Sequence, residues 1–249
     1  MAPSTPNTSL GSHFVTIHVG PEGRSEEFAI HKKLFCEKVD FFNKAFTGGF
    51  KENEGMMKLP DEKPEMFRLF IDWVYRSEVA IVKDNKQYTH LCELYIFAEK
   101  ICHKDLANNT MDSIWVSFYE YGSVISISLD LAAFVYQHTE VGSKLRLYCV
   151  HEIAFRLWDG KESTLPSPIQ LLDIHKAWRD HEDLFCDYFS YMRENPIEQI
   201  SPWQDMEFMS QDPEETCTYH SHEAGEAWKL SPDWARQRGR DENLAKFLS

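Results

Sequence analysis

The sequence predicts an α+β fold, a small mainly antiparallel sheet capped by a helical cluster and followed by an all-α region, on three observations. Residues 14–20 alternate apolar and polar side chains, the period of a half-buried strand. Residues 64–76 follow the i, i+3, i+4, i+7 spacing of an amphipathic helix. The apolar stripes across residues 127–194 all have helical period.

In the first strand Val15, Ile17 and Val19 share one face, and Thr16 and His18 the other. Gly20, Pro21 and Gly23 supply turn chemistry before Glu27, Phe28, Ala29 and Ile30, so the chain begins with a hairpin. The period then changes. Leu34 and Phe35, followed by Val39, Phe41, Phe42, Ala45 and Phe46, fit two short helices, with Gly48 and Gly49 closing the second. Met57 and Leu59 predict a short third strand ended by Pro60. In the helix 64–76, Phe67, Phe70, Ile71 and Val74 form the stripe, while Met66, Leu69 and Trp73 widen it. Pro64 opens that helix in its first turn, where a missing N–H costs nothing.

A polar linker, Lys83 to Lys86, precedes a helix on which Leu91, Leu94, Tyr95 and Ala98 share a face. Residues 104–121 predict another, rich in aromatic side chains and ended by Gly122. Helical stripes at 131–138, 145–158, 169–178 and 184–192 follow, separated by Gly142, Gly160, Pro166 and Pro168. From Asn195 onward Pro, Ser and acidic residues dominate, until Ser231-Pro232-Asp233 reads as the cap of a last helix carrying Trp234, Leu244 and Phe247. The expected organisation is therefore a disordered arm at 1–11, a mixed module at 12–122, a helical region at 127–194 and an acidic polar tail at 195–249.

A formal net charge of -14 argues against sequence-independent binding to nucleic acid, which needs basic surface to displace counterions. The first residues carry neither a basic leader nor an apolar run, and no window approaches the roughly 18 apolar residues of a membrane span. Six cysteines, Cys36, Cys92, Cys102, Cys149, Cys186 and Cys217, are dispersed without a C-x-x-C pair, and the first five sit in apolar helical patterns. They read as reduced, buried residues of an intracellular protein, nuclear or cytoplasmic.

The segment resembles the BTB/POZ family over residues 12–122. The match starts with FVTIHVG at 14–20 and continues through Phe28-Ala29-Ile30-His31-Lys32-Lys33-Leu34, which is similar to the family's strand-to-helix motif. Phe41-Phe42 resembles its aromatic pair, Ala45-Phe46 the residues that follow, and Phe67 to Tyr75 its next helix. With its helical remainder the chain resembles the single-domain BTB proteins of filamentous fungi.

That resemblance implies a non-enzymatic interaction module that forms homodimers or higher oligomers and, in many members, docks a cullin ubiquitin-ligase scaffold as a substrate adaptor. Cullin-binding members carry a hydrophobic-x-Glu motif after the second helix, and Phe50-Lys51-Glu52 stands at the matching place. An apolar anchor with a register-fixing carboxylate suits docking. The alternative packs Phe50 on its own helix and leaves Glu52 solvated. Dimeric members often pair an Asp before the first strand with a basic residue after the motif His. Here that acidic position holds Phe14, or His13 on a shifted alignment, while Lys32 keeps the basic one. Protein partners are expected, a second copy and a cullin among them, with no cofactor, no membrane and no direct nucleic acid.

Three groups invite a catalytic or metal reading. His31 is flanked by lysine but suits the strand-to-helix junction, holding backbone by a hydrogen bond. Cys217, His220 and His222, with Glu223, have ligand-like spacing, yet a structural zinc site wants a second pair and none follows, so a polar flexible tail is expected there. His175 lies on the stripe of Leu171, Ile174 and Trp178 and reads as a core or interface histidine, whereas the run 178–183 reads as a solvated charged face. No G-x-S-x-G, Walker glycine loop or H-E-x-x-H is present. The alternatives to an adaptor are an oligomerisation module in transcription or assembly without a ligase, and a cryptic metal-dependent enzyme built on the tail cluster.

Overall fold

A computed structural model describes residues 10–49, 51–122, 124–158, 171–195 and 219–221. They group into two compact units, one formed up to Val79 together with Ile101–His103, the other by Ala80–Lys100 and residues from Lys104 onward.

In the first unit β1 (Phe14–Val19), β2 (Glu26–His31), α1 (Lys32–Lys38), α2 (Asp40–Thr47), a 3-10 turn (Lys51–Glu54), β3 (Met56–Leu59) and α3 (Pro64–Arg76) follow in order. The sheet order is β2-β1-β3. β1 pairs antiparallel with β2, Phe14 opposite His31, and parallel with β3, Thr16 opposite Met56, so the sheet is mixed. A parallel return needs a crossover, which α1, α2 and the turn provide. Gly20 and Gly23 adopt left-handed backbone at the hairpin turn, where a side chain would be strained.

Val15, Ile17 and Val19 are fully buried, as the alternation predicts. Above them sits an aromatic cluster. The Phe35 ring stacks on Phe42 at 4.1 Å, and Phe70 lies 5.9 Å from the first and 5.8 Å from the second. α3 has the bounds its stripe and Pro64 predict, with Met66, Phe67, Phe70, Trp73 and Val74 buried. α2 does end at Gly48, but in extended backbone and not in the left-handed form that favours glycine. That form occurs instead at Ser77 after α3, whose N–H donates to the Trp73 carbonyl at 2.8 Å. Lys38 supports the same helix end, its Nζ donating to Trp73 O at 2.7 Å, Val74 O at 3.0 Å and Ser77 Oγ at 2.7 Å.

The second unit contains α4 (Asn85–Lys100), α5 (Lys104–Tyr121), α6 (Leu129–His138), α7 (Lys144–Trp158), α8 (Leu171–Asp180) and α9 (Glu182–Glu194). α4 begins inside the stretch expected as a linker, because those polar residues serve its first turn. Asp84 Oδ1 accepts from Gln87 N–H at 2.9 Å, and Asn85 holds both Val124 O and Ser126 N–H. α5 has its predicted bounds. A Cβ on Gly122 would lie 2.6 Å from the Phe118 carbonyl, which explains a glycine at its end. The start predicted at Ile169, with Gly160, Pro166 and Pro168, lies outside the described residues, as do the helix carrying Trp234 and the arm before Leu10.

Two buried ionic groups organise this unit. Arg146 on α7 donates to the carbonyls of Tyr136 and Thr139 and to Thr139 Oγ1, so it caps the C-terminal end of α6, and its guanidinium lies over the Tyr136 ring. Glu152, one per cent exposed, accepts from Ile127 N–H at 2.5 Å and from Tyr88 Oη at 3.3 Å, and the hydroxyls of Tyr88 and Tyr148 lie 2.9 Å apart. Burial pushes its carboxyl up to about 7, against the pull of the Ile127 N–H and the Arg156 guanidinium.

The expectation that the first five cysteines are buried is corrected at two positions. All five are free, Cys92 and Cys149 are buried and Cys36 is half-buried, but Cys102 and Cys186 are exposed. Cys102 has left the helix for a turn residue with positive φ. No described helix is long and apolar enough to cross a membrane.

Glu152 makes stability depend on pH. Because the folded carboxyl keeps its proton to higher pH than the unfolded one, its contribution is complete below pH 4.5 and is lost as pH rises to about 7. Glu152→Gln, which imitates the protonated side chain, should flatten urea-derived stability across that window and stabilise the chain at pH 8 by up to about 3 kcal/mol. A variant that kept the wild-type slope would remove this assignment.

Candidate protein-interaction site

The strand-to-helix junction is built around His31. It ends β2, and its Nδ1 lies 2.8 Å from the Tyr75 hydroxyl on α3, which also accepts from His31 N–H at 3.3 Å. The expectation that His31 holds backbone is corrected, since its ring holds a tyrosine side chain. The one hydroxyl thus joins both the main chain and the ring of His31 to α3. The Phe14 ring lies 4.4 Å from the imidazole, and Phe14 and Tyr75 are 55% and 40% exposed. The three rings form an aromatic patch at the surface.

Lys32 is directed inward, donating from Nζ to the Phe46 carbonyl at 3.0 Å and so capping α2. Leu34 is half-buried, and Phe42 and Phe46 are fully buried. Phe41 is 40% exposed and meets Phe42 edge-on at 5.0 Å. The aromatic pair thus divides its work, one ring in the core and one at the surface.

Phe50 lies outside the described residues. Lys51 opens the 3-10 turn, which packs against α2. Glu52 follows it half-buried, its carbonyl accepting from Gly55 N–H at 2.8 Å, and its carboxylate has no partner among the described residues. An exposed ring on α2 and a carboxylate on the turn that packs against that helix can offer apolar contact and one directed ionic bond. Sequence reasoning missed Met56, 53% exposed on β3, and the capping role of Lys38. Neither has a local signal, because both depend on which elements become neighbours.

In the helical unit His175 is exposed, which corrects its reading as a core histidine. It stands on the rim of an apolar groove of about 800 Å³ walled by Leu157, Ile174, Trp178, Phe185 and Phe189. Arg179, Asp180, Glu182 and Asp183 are exposed, in keeping with a charged face, while Trp178 turns into a cluster with Phe185, Tyr188 and Phe189. Among the described residues no group of three or more His, Cys, Asp or Glu is placed to hold a metal. Cys217, His222 and Glu223 lie outside them. His220 is within them, and the expectation of a polar flexible tail is corrected there: it is buried, with Nε2 donating to Asp112 Oδ1 at 2.8 Å.

The family model of the BTB/POZ domain matches residues 13–110. Those residues are a BTB/POZ domain. The match runs through β1 to α4 and into α5, across both compact units. Among curated proteins the chain is 31% identical to BTB/POZ domain-containing protein 6-B of Danio rerio over 175 residues, 70% of this chain and 29% of that protein. It is 31% identical to Kelch-like protein 13 of Homo sapiens over 70 residues, 28% of this chain and 11% of that protein. It is 22% identical to Inhibitor of Bruton tyrosine kinase of Xenopus laevis over 92 residues, 36% of this chain and 7% of that protein. The chain spans less than a third of the length of each of these relatives.

Tyr75→Phe should destabilise the BTB/POZ domain by about 1–2 kcal/mol in denaturant unfolding, because both the His31 ring and its N–H lose one shared partner. A midpoint equal to that of the wild type would show that the hydroxyl contributes nothing.

Proposed function

We propose that this chain is a non-catalytic adaptor whose BTB/POZ domain self-associates and docks a cullin ubiquitin-ligase scaffold through Phe50, Lys51 and Glu52, while the helical region presents a second surface to a recruited protein. The observation that carries the reading is the exposed Phe41 on α2, the helix against which the turn packs whose Glu52 has no partner among the described residues. The similarity of the domain to that of a kelch-like protein supports an interaction role, and the apolar groove of the helical unit supports the second surface. The proposed limits are 12–122 for the module, 127–194 for the helical region and 195–249 for the tail. Kinship with the single-BTB-domain proteins of filamentous fungi belongs to the same proposal and rests on the helical pattern after the domain; the relatives above are vertebrate proteins.

A second reading, an oligomerisation module in transcription or assembly without a ligase, is favoured by the exposed Phe14 and Met56. Lys32 caps α2, so self-association would rest on apolar contact and not on the charged pair of other dimeric members.

Co-purification with a cullin should fall at least about tenfold in Glu52→Lys and in Phe50→Ala, the loss expected when a docking residue worth about 1.4 kcal/mol is removed. Unaltered capture in both variants would overturn the motif. Light scattering after size exclusion should give twice the chain mass, and Phe14→Asp should shift it toward the single chain. A single-chain mass for the wild type would remove self-association from the reading.

A further inference from the structure

Tyr219, His220 and Ser221 are held on the helical unit by three different chemistries. Asn108 on α5, only three per cent exposed, grips the backbone of Ser221 from both sides, its Nδ2 donating to Ser221 O at 3.1 Å and its Oδ1 accepting from Ser221 N–H at 2.9 Å. One side-chain amide thereby satisfies an N–H and a C=O that the peptide would otherwise have to leave in water, and fixes the direction of the segment. One turn further along α5, Asp112 accepts from His220 Nε2 at 2.8 Å. On α7, the Tyr219 hydroxyl lies 2.5 Å from His151 Nδ1, and the Tyr219 ring stands edge-on to Tyr148 at 5.5 Å and to His151 at 5.4 Å. His151 is itself backed by the Tyr191 ring of α9 at 4.2 Å.

Packing of a polar tail on a helix surface would not place three consecutive residues against three matched partners. Tyr219 and His220 are six and five per cent exposed, a depth at which polar groups require such partners. Burial pulls the His151 imidazole down to about 4, so it is neutral near pH 7 and its Nδ1 can accept a hydrogen bond from the tyrosine hydroxyl. The helices supply the recognition groups and residues 219–221 supply a short peptide, the usual division of a peptide-binding site.

We propose that Asn108, Asp112, Tyr148 and His151 form a binding site for a Tyr-His-Ser peptide, with residues 219–221 of this chain as its resident ligand. The site reads a backbone amide through Asn108, an imidazole through Asp112, and a phenol through His151 and Tyr148. Filled in cis, it ties the tail to α5 and α7. Emptied, it exposes an amide and a carboxylate on one face of α5 that another copy of the same segment can occupy.

The test uses the full chain with Tyr219→Ala and His220→Ala, the emptied chain, in which two of the three holds on the segment are gone and α5 and α7 are untouched. A labelled peptide of residues 214–226, with Cys217 replaced by Ser, is titrated by fluorescence anisotropy. It should bind the emptied chain at least about tenfold more tightly than the wild type, whose own tail competes at an effective concentration in the millimolar range. The same peptide with Tyr219→Ala and His220→Ala should bind at least about tenfold more weakly, and Asp112→Ala in the receptor should have a similar effect. In the unaltered chain the Ser221 amide should exchange slowly with deuterated water, and Asn108→Ala should release that protection. Equal binding to emptied and wild-type chains, no discrimination between the peptides, or a Ser221 amide exchanging at the rate of an open chain would each overturn the proposal.

Discussion

The burial of Phe42 is the constraint on which the proposed interaction face of the BTB/POZ domain depends. Successive helical residues are about 100° apart, so a helix that sends Phe42 and Phe46 into the core turns Phe41 away from it. Phe35 stacks on Phe42, and Phe70 reaches both, which fixes the rotation of α2 against α1 and α3. Each buried ring adds up to about 3 kcal/mol of apolar burial, far more than exposing Phe41 forfeits. The same rotation delivers the Phe46 carbonyl to Lys32, and the 3-10 turn with Glu52 packs on the helix so placed.

Much of the first unit was legible because its signals are local and strong. The alternation of Val15, Ile17 and Val19 could only be a half-buried strand, and Pro64 with the stripe to Val74 marks α3 at both ends. Direction and partner were not legible. Met57 and Leu59 announce a strand but not its parallel pairing with β1, which follows from the crossover. His31 and Tyr75 both stood out in sequence, yet their bond joins residues 44 apart, a distance set by the whole fold. The motif named Phe41 and Phe42 together, and only packing separates the core ring from the surface ring.

In the helical unit the residues that carry no local signal of their role are polar. Arg146 and Glu152 look like solvent-facing charges in an amphipathic helix, but each answers backbone groups that no local pattern reveals, the carbonyls ending α6 and the N–H of Ile127. Such groups lose hydration on burial and recover hydrogen bonds only in one arrangement of their neighbours. The polar stretch at Lys83 to Lys86 was misjudged for a related reason. Asp84 and Asn85 are turn residues by composition and capping residues by position. Tyr219 to Ser221 repeat the pattern, since a polar segment next to Asn108 and Asp112 has partners that composition cannot show.

Two lysines of the first unit are turned to internal use, and its other charges and rings are left to meet a partner. Lys32 ends on the Phe46 carbonyl and Lys38 on those of Trp73 and Val74, so two cations of α1 are spent neutralising helix C-termini. Arg68 pairs with Glu26 across the α3 and β2 surfaces. The exposed side chains of this unit are aromatic at Phe14, Phe41 and Tyr75, acidic at Asp40 and Asp72, and basic at Lys33, Lys44, Lys58 and Arg76. In a chain of net charge -14, an acidic partner would be repelled at long range, and a basic one drawn in before any ring is desolvated. Charge therefore acts on the encounter rate and on the choice of partner, and the exposed rings act on how long the complex lasts.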